Sequence, residues 1–471
     1  MFFNSFEFLF FFAFVYALYL VLTHRAQNVL LLAASYWFYA AWDVRFLGLI
    51  VLSTAVDFWV GKELHASTCP RARRRWLGLS LGVNLGLLFV FKYFNFFLDS
   101  FRGMMGAVGL SADGAHWNII LPVGISFYTF QTLSYTIDIY RRKLEPTRDP
   151  LVFAVYVAYF PQLVAGPIER ASRLLPQIMQ KRTLTYEKFC EGAWLILYGF
   201  FLKMFVADNL GMIVNEVFDK PGQAAGGLQI PLVVLAFAFQ IYGDFFGYTN
   251  IARGVSKWMG IELMENFRMP YFAASPSAFW GRWHISLSTW LRDYLYIPLG
   301  GNRMGKWMTL RNLMLTMLLG GLWHGARWNF VAWGAFHGAL LIGYRLATPT
   351  WERVRPKGKA LGMGLHLLGV GVFFGFTLFG WLLFRVENLS DVVVLGQRML
   401  DWKINGGVIL YSLAVYAGPV LVLDALQEWK RDTMAVRTFP VGVRYILYLA
   451  VFYAIVFGGA RAENAFIYFQ F

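Results

Sequence analysis

The amino-acid sequence predicts an all-α, polytopic integral membrane protein. Of its 471 residues, 58% are hydrophobic and only 15% are charged, whereas soluble proteins carry about 25% charged residues. Apolar stretches of the length needed to cross a bilayer, roughly 20 residues, recur along nearly the whole chain. Clusters of arginine and lysine separate them with a spacing that places the clusters on one side of the membrane. Together these observations argue against a soluble fold.

Twelve apolar segments are predicted to be transmembrane helices. They are 5–22, 28–41, 46–60, 76–98, 118–137, 189–207, 229–250, 311–326, 329–345, 361–386, 407–425 and 441–460. The first contains Glu7 and no basic residue before His24, so it lacks the positive region of a signal peptide and is expected to be retained. Several segments are short, which favours tilted or partly inserted helices. The sequence has no repeat or low-complexity linker, which predicts one domain over residues 1–471.

The basic residues predict the topology. They cluster at 71–75, 141–143, 353–359 and 430–431. Because lysine and arginine hold loops on the cytoplasmic side, we expect these four loops there. The net charge of +15 then follows from topology, and anionic membrane lipids are sufficient partners for it. The sequence resembles no nucleic-acid-binding module, so no nucleic-acid partner is expected.

One apolar region is not a simple spanning helix. Residues 151–168 include Pro161, Gly166 and Pro167. These residues break a helix and leave backbone groups that lipid cannot satisfy. We therefore expect a re-entrant segment that is buried in protein or lines a wet cavity.

A second irregular region spans residues 253–310. Ser275 followed by Pro276 is typical of a helix N-cap and first turn, so a helix should begin there. On that helix Trp283, Leu287, Trp290 and Tyr294 share one side, with His284 and Ser288 on the neighbouring face. We expect the helix at the membrane interface, with its aromatic side chains at headgroup depth.

His324 is the first candidate for catalysis. It ends an apolar run within Gly-Gly-Leu-Trp-His-Gly-Ala, residues 320–326. An ionisable group in a membrane segment is costly and is usually functional, and imidazole exchanges a proton near neutral pH. As a general base it would remove a proton from an acceptor hydroxyl as that oxygen attacks an acyl thioester. The alternative is a histidine hydrogen-bonded between helices.

His284 is the second candidate, 40 positions earlier. It would polarise the acyl carbonyl or stabilise the developing oxyanion; the alternative is an interfacial histidine bound to a headgroup or loop. His337 would lie roughly 20 Å from His324 on one continuous helix, so it is expected to be structural unless the chain breaks between them. His24, His65, His116 and His366 are not expected to be catalytic.

The remaining polar residues predict structure more than chemistry. Asp244 lies in an apolar segment and either lines a cavity or pairs with an arginine, while Lys203 is expected to extend towards the headgroups. Cys69 and Cys190 have neither disulfide nor metal-ligand spacing, and no metal site is predicted. The sequence has no P-loop, nucleophile elbow, zinc-protease or dinucleotide motif. Direct transfer assisted by a base is favoured, although a covalent step stays open.

Several motifs resemble those of the membrane-bound O-acyltransferase (MBOAT) family, in particular its bacterial polysaccharide O-acetyltransferase branch. The clearest is Arg-Trp-His-Ile-Ser-Leu-Ser-Thr-Trp-Leu-Arg-Asp-Tyr at 282–294. The others lie at 124–131, 161–168, 242–248, 297–303, 323–325 and 333–338. The likeness is close over 1–345 and looser over 346–471, the C-terminal transmembrane helices.

The resemblance implies a bundle of about 11–12 transmembrane helices with re-entrant segments around a central funnel. It implies that His324 and His284 are the active-site histidines. As supporting or substrate-binding residues we expect Trp283, Trp323, Arg282, Asp293, Ser288 and Asp244.

The resemblance also implies a location and a reaction. The protein would lie in the bacterial cytoplasmic (inner) membrane. It would pass an acetyl group from a cytoplasmic donor, acetyl-CoA, to a cell-envelope polysaccharide such as alginate. An exported acetyltransferase of the SGNH type would be the partner, and no permanently bound cofactor is expected. D-alanyl transfer to teichoic acid from a carrier protein, and a non-catalytic transporter or scaffold of an envelope-modification complex, are the alternatives.

Overall fold

The computed structural model describes residues 1–110, 117, 119–164, 166–354, 358–401, 405–460 and 466–467. Over these ranges the chain is helical and contains no β-strand, which confirms the all-α prediction. His116 and the basic residues Arg355 and Lys357 lie outside the described residues.

The described residues in the first half of the chain form ten α-helices. They are α1 (Phe6–Val21), α2 (His24–Ala40), α3 (Leu47–Ala66), α4 (Pro70–Leu88), α5 (Phe94–Ala107), α6 (Ile125–Tyr140), α7 (Pro150–Ala158), α8 (Phe160–Leu163), α9 (Ala171–Met179) and α10 (Tyr186–Phe200). A π-helical turn, Phe89–Tyr93, joins α4 to α5, and a second, Phe201–Ala207, follows α10.

In the second half, eleven more α-helices lie within the part of the chain that the structure describes. They are α11 (Asp208–Phe218), α12 (Gln229–Trp258), α13 (Pro276–Trp280), α14 (Ile285–Leu291), α15 (Lys306–His324), α16 (Trp328–Val354), α17 (Lys359–Arg385), α18 (Leu389–Leu400), α19 (Gly407–Ser412), α20 (Gly418–Lys430) and α21 (Val441–Gly458). Further π-helical turns, Arg292–Tyr296 and Leu413–Ala417, follow α14 and α19.

Every predicted apolar segment coincides with a helix. Among the described residues, eight helical stretches are long and apolar enough to cross a membrane: Val44–Ala66, Pro70–Ala107, Tyr186–Phe218, Gln229–Trp258, Trp328–Arg353, Ala360–Arg385, Gly407–Lys430 and Val441–Gly458. The helices α1, α2 and α6 have 16, 17 and 16 residues. At 1.5 Å per residue they are shorter than the roughly 30 Å core of a bilayer. The protein is a multi-pass membrane protein.

The residues form two compact units, Met1–Ile196 with Ala252–Met264, and Leu197–Ile251 with Glu265–Phe471. In the first unit α6 is the central helix, with 14 of its 16 residues buried and with α3, α4, α7 and α9 packed on it. Its hydroxyl groups therefore need partners, because an unpaired polar group is costly away from water. Asn84 and Ser80 of α4 supply them by bonding Thr132 and Thr136 at 3.2 and 3.0 Å.

The predicted break in residues 151–168 is confirmed. Helix α7 ends before Tyr159, and α8 contains Pro161 in its first turn. The described residues 152–164 and 166–169 are all buried. Ser35 accepts a hydrogen bond from the amide of Phe160 at 3.0 Å, so a side chain of α2 satisfies one of the backbone groups released by the break.

In the second unit the most extensive helix contact is between α15 and α16. Gly325 is extended, with φ −162° and ψ 149°, and the chain reverses between the two helices. A Cβ at Gly321 would lie 2.2 Å from the carbonyl oxygen of Phe330, and one at Gly334 would lie 2.4 Å from that of Met317. Only glycine allows the two backbones to approach so closely.

Candidate active site

A break in the chain brings His284 into the second unit's interior. Helix α13 begins as predicted, with the Ser275 hydroxyl accepting a hydrogen bond from the amide of Ala278 at 3.2 Å. The helix ends at Trp280, however, and His284 adopts a left-handed conformation with φ 43° before α14 begins. The prediction of one helix carrying Trp283, Leu287, Trp290 and Tyr294 was therefore wrong.

The cause of the break is a competing set of backbone partners. Asn266 accepts hydrogen bonds from the amides of Ile285 and Ser286, through its carbonyl oxygen at 3.0 Å and its side chain at 3.2 Å. The amide of Arg268 bonds the carbonyl oxygen of Arg282 at 3.0 Å. These tertiary bonds replace those that a continuous helix would make, and they leave His284 completely buried, with 0% of its surface exposed.

His324 is the last residue of α15 and is 4% exposed. The carbonyl groups at this end of a helix carry a partial negative charge, and almost the whole His324 side chain lies away from water.

The two histidines lie close together. Their ring centroids are 6.4 Å apart with an angle of 60° between the rings. Trp323 contacts both rings, at 5.8 Å from His284 and 5.1 Å from His324. Trp333 and Phe384 meet His324 edge-to-face at 5.0 and 5.3 Å.

His324 also lines a cavity of about 230 Å³. Its walls are mainly apolar and come from α13, α14, α15 and α16, with Leu287, Leu291, Met317 and Gly320 among them. A few polar groups, from Ser288, Arg292, Thr316 and Tyr296, share the lining. An apolar cavity with a small number of polar groups is typical of a small-molecule site.

Burial decides the charge of His284. Loss of hydration lowers the pKa of its imidazole from 6.5 to about 3, because a charged ring is disfavoured away from water. The ring is therefore neutral near pH 7. A neutral imidazole has one N–H donor and one acceptor nitrogen, so it can donate one hydrogen bond to a carbonyl or oxyanion.

The structure brings some of the predicted supporting residues to the histidines. Trp323 contacts both rings. Ser288 lines the cavity, and its hydroxyl donates a hydrogen bond to the carbonyl oxygen of Trp283 at 3.1 Å. Trp283 is 1% exposed and packs on Trp381 at 4.7 Å. Its predicted position at headgroup depth was therefore wrong, because the break at His284 turns it inward.

Arg282 and Asp293 make ion pairs instead. Arg282 donates two hydrogen bonds to Glu428 of α20, at 2.7 and 3.0 Å, and so fastens the segment before His284 to α20. Asp293 pairs with Arg292 at 2.8 Å on an exposed edge.

Asp244 belongs to a buried ion triad. Its carboxylate lies 2.8 Å from the Lys203 ammonium, which also bonds Asp208 at 2.7 Å. The predicted arginine partner of Asp244 was wrong, because its partner is Lys203. The prediction that Lys203 extends to the headgroups was wrong, since its side chain is 6% exposed; two carboxylates compensate its desolvation.

His337 is nearer to the site than one continuous helix would allow. The chain breaks at Gly325, so α16 runs back along α15 and both His324 and His337 contact Trp333, at 5.0 and 4.8 Å. His337 stacks on Phe279 at 6.0 Å and does not line the cavity.

Sequence reasoning did not single out several cavity residues. Trp280, Trp333, Arg292 and Tyr296 all line it. For Trp333 the sequence offered one indication, the glycine that follows it, because glycine is typical of closely packed membrane helices. Among the described residues, no group of three or more histidine, cysteine, aspartate or glutamate side chains is arranged to hold a metal ion.

Residues 146–360 match the sequence profile of the MBOAT, membrane-bound O-acyltransferase family. A "Probable alginate O-acetylase AlgI" of Pseudomonas putida is 43% identical over 408 residues, which cover 85% of this chain and 81% of the relative. The chain belongs to the membrane-bound O-acyltransferase family. This MBOAT protein is therefore an acyltransferase.

Two further relatives carry other names. A "Peptidoglycan O-acetyltransferase" of Helicobacter pylori is 30% identical over 523 residues, covering 96% of this MBOAT chain and 94% of the relative. A "Teichoic acid D-alanyltransferase" of Bacillus subtilis is 30% identical over 288 residues, covering 57% and 69%. The resemblance predicted from the motifs is confirmed.

Proposed function

We propose that this protein is a membrane O-acetyltransferase that serves a cell-envelope polysaccharide. It takes an acetyl group from a cytoplasmic thioester, acetyl-CoA, and passes it to the outer side of the bacterial cytoplasmic membrane. The observation that carries the proposal is that His324 lines an apolar cavity and that the buried imidazole of His284 lies 6.4 Å from it, measured between ring centroids. The O-acetylation named for the Pseudomonas and Helicobacter relatives supports acetyl as the group transferred.

In the proposed reaction His324 is the general base. It takes the proton from an acceptor hydroxyl as that oxygen forms a bond to the acetyl carbon. The carbon–sulfur bond of the thioester then breaks, and His324 returns the proton to the thiolate. The products are an acetyl ester and free coenzyme A, so atoms and charge balance without a further reactant.

His284 complements this step as a neutral hydrogen-bond donor. When the hydroxyl attacks, negative charge develops on the carbonyl oxygen, and a preorganised donor in a dry site stabilises it. Removing one such donor costs about 10²–10³ in kcat in well-studied acyl-transfer sites. Ser288 and Trp323 would help to fix the acyl group and the two rings.

The acceptor and partner follow from where the reactants are found. The thioester is made inside the cell and the polysaccharide lies outside, so an acetyl group that crosses alone spares the movement of both larger molecules. We propose that an exported acetyltransferase of the SGNH type receives the acetyl group on its serine and delivers it to the polysaccharide. The polysaccharide is alginate-like or another exopolysaccharide.

A second candidate is D-alanyl transfer. The Bacillus subtilis relative named as a teichoic acid D-alanyltransferase favours it, but that match covers only 57% of the chain. The donor would then be a charged carrier protein instead of acetyl-CoA.

The test uses purified protein in liposomes with radiolabelled acetyl-CoA and an added acceptor. Wild type should release coenzyme A and transfer label, while His324→Ala should lose transfer by three or more orders of magnitude. His284→Ala should lose it by about 10²-fold or more. His337→Ala is the matched control for His324→Ala. His337 is also a buried imidazole in contact with Trp333, but it does not line the cavity.

The variants also separate the alternatives. Full transfer by a folded His324→Ala protein would refute the mechanism. Label transfer from a D-alanyl carrier protein, with none from acetyl-CoA, would replace the proposal by the second candidate.

A further inference from the structure

The segment after α21 is fastened to the unit that holds both histidines. Asn209 donates a hydrogen bond to the carbonyl oxygen of Gly458 at 2.8 Å. The amide of Ala460 bonds the carbonyl oxygen of Met204 at 3.0 Å. Phe466 and Ile467 are then buried to 1% and 3% exposure. The described residues on both sides of positions 461–465 therefore pack within the second unit.

The last of these contacts reaches the ion triad. The amide of Ile467 donates a hydrogen bond to Oδ2 of Asp244 at 2.6 Å, while the other carboxylate oxygen faces Lys203 at 2.8 Å. Asp244 is thus held from two sides. Charge-assisted hydrogen bonds of this kind are roughly twice as strong as neutral ones.

Phe466 extends the contact towards His284. Its ring lies 4.7 Å from Tyr248 and 6.0 Å from Phe245. Phe245, the residue after Asp244, meets the His284 ring edge-to-face at 4.7 Å and 87°. One aromatic ring therefore separates the C-terminal segment from a proposed catalytic imidazole.

We infer that Phe466 and Ile467 are positioning residues for His284, and that Asp244 serves the reaction by anchoring them. The Ile467–Asp244 bond fixes the segment, Phe466 holds Phe245, and Phe245 fixes the tilt of the His284 ring. This gives Asp244 a role although it does not line the cavity. The inference rests on the proposed function in that His284 takes part in transfer.

The sharpest test removes the amide donor of Ile467. Ile467→Pro abolishes that donor, whereas the control Ile467→Ala keeps it and loses more of the apolar side chain, so a larger defect in the proline variant cannot come from lost side-chain carbon atoms. We expect kcat for acetyl transfer from acetyl-CoA to be about 10- to 100-fold lower in Ile467→Pro than in Ile467→Ala, because a misplaced catalytic group has effects of that size. The KM for acetyl-CoA should be unchanged. A second pair tests Phe466. Phe466→Ala should lower kcat for acetyl transfer, and Phe466→Leu, which keeps a bulky apolar side chain, should largely restore it.

Two further readouts separate positioning from a general loss of structure. In a His284→Ala background the proline and alanine variants should have equal residual rates, because the group being positioned is gone. Diethyl pyrocarbonate should modify His284 faster in Ile467→Pro than in Ile467→Ala, as measured by mass spectrometry.

The inference is overturned if both Ile467 variants have the same kcat and the same His284 modification rate. It is also overturned if the proline variant loses the same factor with and without His284. Failure of the proposed function gives a different pattern, in which His324→Ala retains full transfer.

Discussion

Gly321→Ala tests whether close contact between α15 and α16 sets the position of His324. The new Cβ would lie 2.2 Å from the carbonyl oxygen of Phe330 and 3.2 Å from Cα of Gly334. Both neighbours are backbone atoms, which cannot rotate away as a side chain can. Gly343→Ala, on α16, is the control, since its Cβ would meet no atom within 4 Å.

The size of the effect follows from the distances. Ordinary van der Waals contact begins near 3.4 Å, so the helices must separate by about 1 Å to admit the methyl group. Overpacking of this kind costs about 1–3 kcal/mol, partly offset by the roughly 1 kcal/mol by which alanine favours a helix over glycine. His324 lies three residues further along α15, and a displacement of about 1 Å lowers turnover by about 10²-fold.

The assay is acetyl transfer in proteoliposomes, together with thermal unfolding of the detergent-solubilised protein. Gly321→Ala should fold, lose about 10²-fold in kcat and unfold at a lower temperature. Gly343→Ala should stay within a few-fold of wild type in kcat and should not unfold at a lower temperature. Equal behaviour of the two variants in both measurements would refute the reasoning.

Three other outcomes are expected. Lys203→Met leaves two buried carboxylates uncompensated and should destabilise the protein by about 3–5 kcal/mol, seen as a lower thermal midpoint that Lys203→Arg largely restores. Because burial lowers the pKa of His284 to about 3, the unfolded chain binds a proton there below about pH 6.5 that the folded protein does not. Stability should therefore fall by roughly 1 kcal/mol per pH unit between pH 6.5 and 4, and the slope should be smaller in His284→Gln. Arg282→Lys loses the two-point bond to Glu428 and should cost about 1 kcal/mol; an unchanged midpoint would contradict this.

The sequence was most informative where a local rule had no competitor. Each of the twelve predicted segments overlaps a helix, but among the described residues only eight helical stretches are long and apolar enough to cross a membrane. Ser275 with Pro276 correctly marked the start of α13. Pro161 and Pro167 correctly indicated a break in the helix, and the described residues around this break are buried. In each case the physical cause lies within a few residues of its effect, so it can be recognised without the tertiary structure.

The features that could not be predicted from the sequence depend on contacts between residues far apart in the chain. The side chain of Asn266 accepts a hydrogen bond from the amide of Ser286, 20 positions later in the sequence. No feature of the sequence near His284 indicates that this contact will interrupt the helix there. The pairing of Lys203 with Asp244 joins residues 41 positions apart on two helices. The proximity of His284 and His324 was expected from the family resemblance alone, and the spacing of the two residues left their convergence open.

The aromatic wall around His324 has a consequence for the fate of the acyl group. Water is a competing acceptor, and each thioester that it captures is wasted. Trp323, Trp333 and Phe384 surround the ring with apolar surface, and such surface gives a water molecule few hydrogen-bonding partners. In the proposed reaction these three side chains therefore favour ester formation over hydrolysis, although they perform no chemistry themselves. A site that excludes water lets an alcohol react with a thioester without the competing hydrolysis that would occur in bulk water.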